Sequence, residues 1–242
     1  LDLSFTDDQE AFRAEVRAWL AENLPPGEGG RAVAPPDGLA AEVERLIAWQ
    51  KRLHAAGWVG VHWPRAHGGR GAGIVESFVL QEEMARARAP ELIGRIGVHL
   101  VGPTLIAHGT DEQRRHLPRI LAADDIWCQL FSEPNAGSDL TSLRCRAEAD
   151  GDGFVVNGQK VWASYAQFAH WGILLARTDP RETRSKGIGF FLLDMRSPGI
   201  TVRPLRQMTG DEEFNEVFLE DVRVPRCNLV GDLHRGWEIA QT

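Results

Sequence analysis

The chain has 242 residues, of which 43% are hydrophobic, and carries 27 Lys and Arg against 34 Asp and Glu for a formal charge of -7. This is enough apolar material for one large core or two ordinary ones. The acidic balance, with arginines scattered among acids, argues against nucleic acid as a main partner, because phosphate backbones are bound by clustered Lys and Arg. No apolar run approaches the roughly 20 residues that span a bilayer, and no charged-then-apolar leader is read at the start, so no membrane partner and a cytoplasmic location are expected.

From Leu1 to about Ala123 the pattern is helical. Thr6 with Gln9 forms a capping box, and Phe12, Val16 and Trp19 recur at spacings of four and three, which predicts a first helix from Asp7 to Asn23. Pro25, Pro26, the glycines through Gly30, Pro35 and Pro36 read as a loop of breakers. Leu39, Val43, Leu46, Ile47 and Leu53 mark a second helix closed by Gly57, and Glu76 to Arg88 and Glu91 to His108 continue the series. Thr110 with Gln113 repeats the capping box and opens a short helix carrying Leu117, Ile120 and Leu121.

After Asp125 the period shortens to apolar or alternating runs between turn residues, which is the signature of strands. Trp127 to Phe131, Leu143 to Ala149, Phe154 to Val156, Trp171 to Ala176, Ile188 to Leu193, Ile200 to Arg203 and Phe214 to Leu219 qualify. Asp150-Gly151-Asp152-Gly153 is a strong hairpin turn. From Gly236 a helix begins again, and the chain, which starts at Leu1 and stops at Thr242, reads as cut from a longer polypeptide. The expected fold class is α+β: an all-α N-terminal domain over residues 1–125, a small antiparallel β-barrel or sandwich domain over 126–232, and the start of a C-terminal helical domain at 233–242.

The three cysteines, Cys128, Cys145 and Cys227, are odd in number and lack a C-x-x-C, as expected of reduced thiols. His54, His62 and His67 have no carboxylate or thiolate companions at ligand spacing, so no metal site is expected. Asp150, Asp152 and the Glu212-Glu213 pair read as turn and solvent residues.

Chemistry is expected in two stretches. In Phe131-Ser132-Glu133-Pro134-Asn135-Ala136-Gly137-Ser138-Asp139-Leu140, small residues and a proline after a strand let backbone N-H groups face an anion or a polar ring edge, with Ser132 and Ser138 adding hydroxyls. In Asn157-Gly158-Gln159-Lys160-Val161-Trp162-Ala163-Ser164, Asn-Gly reads as a tight turn, and the following strand places Trp162 and Ser164 on one side. An indole beside a hydroxyl suits a flat heteroaromatic ligand.

With these motifs the chain resembles the acyl-CoA dehydrogenase family along its whole length. Gly57-Trp58-Val59-Gly60, Trp63-Pro64 and Gly68-Gly69 come first, then S-E-P-N-A-G-S-D and N-G-Q-K-V-W-A-S, then Phe214-Asn215-Glu216-Val217-Phe218 and Asp221-Val222-Arg223-Val224-Pro225. The resemblance implies a helical domain, a β domain and a C-terminal four-helix bundle, before which this chain is truncated, with FAD between the last two. It places Gln129, Leu130, Phe131 and Ser132 along the flavin edge, Ser138 near its phosphates, Trp162, Ala163 and Ser164 beside the isoalloxazine, and Gly137 among the cofactor-binding residues. Ser164 becomes a donor to the ring, and Ser138 and Ser185, the latter within the loop from Thr183 to Lys186, become contacts for CoA. Gln129, Leu130 and Phe131 depart from the smaller or aromatic residues common there, which leaves the acyl preference open.

The implied reaction is α,β-dehydrogenation of an acyl-CoA thioester to 2-enoyl-CoA with hydride transfer to FAD. Its general base is, in the family, a glutamate of the C-terminal bundle, so no catalytic residue is assigned within this chain; Glu133 takes a structural role by the same resemblance. Electron-transfer flavoprotein is the implied acceptor, and a homodimer or homotetramer, or a heterotetramer with a homologous chain, the implied assembly. Two alternatives stand beside it: a flavin oxidase or monooxygenase of the same fold, and a non-catalytic partner subunit.

Overall fold

The computed structural model describes residues 4–24, 38–182 and 184–242. The expected breaker loop from Pro25 to Pro36, and Thr183, lie outside the described residues. The chain forms two compact units, Leu1–Ile93 and Gly94–Thr242.

In the first unit, helices α1 (Asp7–Asn23), α2 (Gly38–Ala55) and α3 (Ile74–Arg86) carry the core. The Thr6 and Gln9 capping box forms at the start of α1, each side chain bonding the other residue's backbone N-H. Val16 and Leu20 face inward, and Phe12, Trp19, Trp49 and Trp58 pack edge to face or tilted at centroid distances of 5.7 to 6.4 Å. One polar knot joins α1 to α3: Arg13 reaches Glu83 at 2.7 Å and Arg17 reaches the same carboxylate at 2.6 Å.

The second unit opens with a π-helical turn, Gly97–Val101, running into α4 (Gly102–His108). The helix expected from Glu91 therefore starts only near Arg95, and its first turns are not regular α. At Gly97 an added Cβ would lie 2.8 Å from Ile120, so the close fit of this turn requires glycine. The second capping box, Thr110 with Gln113, opens α5 (Asp111–Arg114); Pro118 then sits in the first turn of α6 (Leu117–Leu121), dividing the expected single helix.

Seven strands follow: β1 (Trp127–Leu130), β2 (Arg146–Asp150), β3 (Gly153–Ser164), β4 (Trp171–Arg177), β5 (Ile188–Asp194), β6 (Ile200–Leu205) and β7 (Phe214–Pro225). They run in the order β1-β4-β2-β3-β7-β6, with β5 on β4. The sheet is mixed, because β1 and β2 pair with β4 in parallel while the other pairings are antiparallel. The hairpin expected at Asp150-Gly151-Asp152-Gly153 forms, with Asp150 opposite Gly153. Leu130, Cys145, Phe154, Val156, Ala163, Phe191 and Val217 fill the core of the unit. The chain ends in α7 (Gly236–Ile239).

The Asn157-Gly158 turn does not form. Both residues lie inside β3, opposite a bulge in β7 that inserts one residue between Leu219 and Val222. Asn157 clamps that bulge, donating to Asp221 Oδ1 at 3.0 Å and accepting from the Asp221 N-H at 3.0 Å. A second bulge, now on β3, falls between Lys160 and Ala163 and puts Trp162 at φ 62.

Candidate functional site

The loop after β1 is tied to β3 by a buried ion pair. Lys160 is fully buried, and its ammonium donates to Glu133 Oε1 at 2.8 Å and to the Phe131 carbonyl at 3.0 Å. Glu133, 8% exposed, also accepts from the backbone N-H of Arg144 at 2.7 Å and of Cys145 at 2.9 Å. Residues 133 and 136 exchange backbone hydrogen bonds, and Val161 N-H donates to the Ser132 carbonyl at 2.9 Å. A paired, multiply hydrogen-bonded carboxylate of this kind is an anchor. The arrangement gives Glu133 the structural part expected of it.

The expected site residues divide by exposure. Gln129, Phe131 and Ser132 are half-buried, Leu130 is buried in the core, and Gly137 and Ser138 are exposed. A Cβ added at Gly137 meets nothing within 4 Å, so packing within the chain does not require this glycine. Across the second bulge, burial alternates: Val161 and Ala163 are buried, Trp162 is 60% exposed, and Ser164 is half-buried. Among the described residues, the Trp162 ring meets the edge of Phe214 at 6.1 Å. Through the Ser132–Val161 bond and the Lys160 anchor, the two expected stretches become neighbours.

Ser138 and Ser185 flank a cavity of about 520 Å³ in sequence, without lining it themselves; the lining is Asp139, Thr141, Ser142, Arg177, Glu182 and Arg184. Arg177 organises this end. Its guanidinium donates to the Thr141 carbonyl at 2.7 Å and to the carbonyls of Arg184 and Lys186 at 3.1 and 2.6 Å. Burial lowers its pKa from the ordinary value, with the Glu133 charge acting the other way. Sequence reasoning passed over Arg177 because an arginine ending an apolar strand reads as solvent-facing. It passed over Lys160 except as a motif letter.

Among the described residues no group of three or more His, Cys, Asp and Glu side chains is placed to hold a metal ion. No described helix is long and apolar enough to cross a membrane.

Comparison with known proteins identifies the class. Residues 6–124 match the family model described as acyl-CoA dehydrogenase, N-terminal domain, and residues 128–222 match acyl-CoA dehydrogenase, middle domain. The chain belongs to the acyl-CoA dehydrogenase family. Among its relatives, acyl-CoA dehydrogenase IpdE1 of Mycobacterium tuberculosis is 46% identical over 236 residues, covering 96% of this chain and 61% of that protein. Among solved structures, the Tcur3481-Tcur3483 steroid ACAD superposes with a TM-score of 0.85 at 35% identity over 100% of this chain and 62% of its own. The ChsE4-ChsE5 complex from Mycobacterium tuberculosis gives 0.86 at 33% identity, over 100% of this chain and 60% of its own. The chain thus spans about three fifths of the length of each of these three proteins.

Proposed function

We propose that this chain is the flavin-binding part of an acyl-CoA dehydrogenase that converts an acyl-CoA thioester to its 2-enoyl form. The observation that carries the reading is the Glu133–Lys160 anchor, which fixes the Ser132–Gly137 loop beside an exposed Trp162 and a half-buried Ser164. The donor set fits FAD. Trp162 offers an uncovered indole face, Ser132, Ser138 and Ser164 offer hydroxyls, and Gly137 leaves open space around its Cα. When bound, FAD supplies the hydride-accepting centre.

In this reading Gln129, Leu130, Phe131 and Ser132 hold the flavin edge, Gly137 and Ser138 its phosphates, and Trp162, Ala163 and Ser164 the ring. Ser138 and Ser185, neighbours in sequence of residues lining the Arg177 cavity, contact CoA. Glu133 is unsuited to act as the base, since both of its oxygens already accept hydrogen bonds. We assign the proton acceptor to no residue of this chain. Electron-transfer flavoprotein is the proposed acceptor, a symmetric dimer or tetramer the proposed assembly, and the cytoplasm the proposed location.

A second reading, a partner subunit in a heteromeric enzyme, is favoured by solved neighbours whose names pair two chains. Purifying the full-length polypeptide that contains these residues separates the two. A yellow protein that bleaches on adding an acyl-CoA is expected. A colourless protein that gains no flavin on reconstitution overturns the first reading, and activity only with a co-purifying homologous chain selects the second.

A further inference from the structure

Asn215 is fully buried, and its carboxamide nitrogen and oxygen are treated very differently. Its Nδ2 donates to the Ala163 carbonyl at 2.9 Å, to the Glu213 carbonyl at 3.1 Å, and to Gln167 Oε1. Three oxygens around one nitrogen fix which way the amide points, because a flipped carboxamide would set oxygen against oxygen. The cost is visible: Asn215 Oδ1 is buried with no hydrogen-bond partner.

What the carboxamide holds is a stretch of chain in unfavourable conformations. Trp162 and Tyr165, on either side of Ala163 and Ser164, have φ of 62 and 55, a region that non-glycine residues enter only at a cost in strain. Such residues persist only where their surroundings over-determine them. Here the surroundings are the Asn215 bonds, the Tyr165 N-H donating to the Glu213 carbonyl at 2.7 Å, and Gln167 Nε2 donating to the Glu212 carbonyl at 2.7 Å. Those bonds also pin the turn from Arg206 to Glu213 against the end of β3.

We propose that Asn215 is a positioning residue that sets the Trp162-Ala163-Ser164 segment, and through it the environment of the bound flavin ring. The inference rests on the flavin reading above. Asn215 touches no ligand itself; it fixes the Ala163 carbonyl and thereby the directions in which Trp162 and Ser164 leave the backbone. Leucine at this position has similar volume and no donor, so it removes the hold and the orphaned oxygen together. Aspartate would face the three acceptor oxygens with a carboxylate.

The test compares Asn215→Leu, Asn215→Ser and Gln167→Met in the full-length polypeptide, with Val224→Ala as a control that loosens β7 away from the segment. Flavin absorption, flavin reduction potential, kcat, KM and thermal unfolding are read for each. The expected result is a shifted flavin band and potential and a kcat lowered about tenfold or more with KM little changed, as misplacement of supporting groups gives. Asn215→Leu should show the largest change, Asn215→Ser an intermediate one with its remaining hydroxyl donor, and Gln167→Met, at a half-buried site, the smallest. Val224→Ala should lower the unfolding temperature while leaving band and potential in place.

Should Asn215→Leu not fold, the serine and Gln167 variants carry the same comparison. Folded variants with wild-type band, potential and kcat overturn the inference. So do changes that the Val224→Ala control reproduces in proportion to its loss of stability. If the wild-type polypeptide binds no flavin, the functional reading fails instead, and the two failures are thereby distinguished.

Discussion

At the scale of single residues, the ion pair between Lys160 and Glu133 ties the loop after β1 to β3. Breaking a buried pair by removing one partner costs about 3–5 kcal/mol, because the remaining charge is stranded in the interior. Lys160→Met should therefore lower the unfolding free energy by about that amount in urea titration. Adding Glu133→Gln should cost less than the sum of the two single changes, since the second removes a charge already unpaired. Equal and additive losses would show that the pair is not coupled. Nothing local in the sequence discloses this contact, because the partners lie 27 residues apart and meet only when β3 returns beside the loop. The cysteines were legible. Burial pushes the thiols of Cys128 and Cys145 up, to about 12 and about 11, while Cys227 is exposed. A thiol-specific reagent at pH 8 should titrate one cysteine in the folded protein and three after unfolding.

At the scale of elements, the sequence read well where local chemistry is decisive. The first helix has the bounds its capping box and apolar spacing imply, and the Asp-Gly hairpin forms where Gly151 and Asp152 separate the strands. It misled where tertiary contacts overrule local preference. Asn157-Gly158 has turn chemistry, yet Asn157 is used to clamp a bulge in β7 and Gly158 to let Cys145, just before β2, approach. A Cβ at Gly158 would lie 2.7 Å from Cys145 Cα and Cβ, so Gly158→Ala should destabilise by about 1–3 kcal/mol, as overpacking does. Wild-type stability for that variant would mean the strands part without strain.

The helical unit adds a pH dependence. Hydrogen bonding from Arg17 first, opposed by burial and aided by Arg13, holds the Glu83 carboxyl below its ordinary 4.5. Its folded value lies below its unfolded one, so the stabilisation is complete above pH 4.5 and drains as pH falls from there through the folded value. Glu83→Gln should flatten the acid limb of the unfolding temperature against pH; an unchanged limb would assign it to other carboxylates.

At the scale of the whole molecule, the tryptophans differ sharply in exposure. Eight tryptophans are present, and Trp162 is the one whose side chain is mostly in solvent, at 60% exposure. The others are buried or half-buried. Burying a large apolar side chain is worth roughly 1.5–3 kcal/mol, and under the proposed function the flavin ring covers Trp162, which lies at φ 62. Iodide quenching makes the argument measurable. The 242-residue chain without flavin should show one readily quenched tryptophan, and Trp162→Phe should abolish that fraction while leaving the remaining emission and the unfolding temperature nearly unchanged. In the flavin-loaded full-length protein the same tryptophan should become inaccessible to iodide. Continued quenching of Trp162 with FAD bound would place the cofactor elsewhere, and with it the expectation drawn from the W-A-S motif.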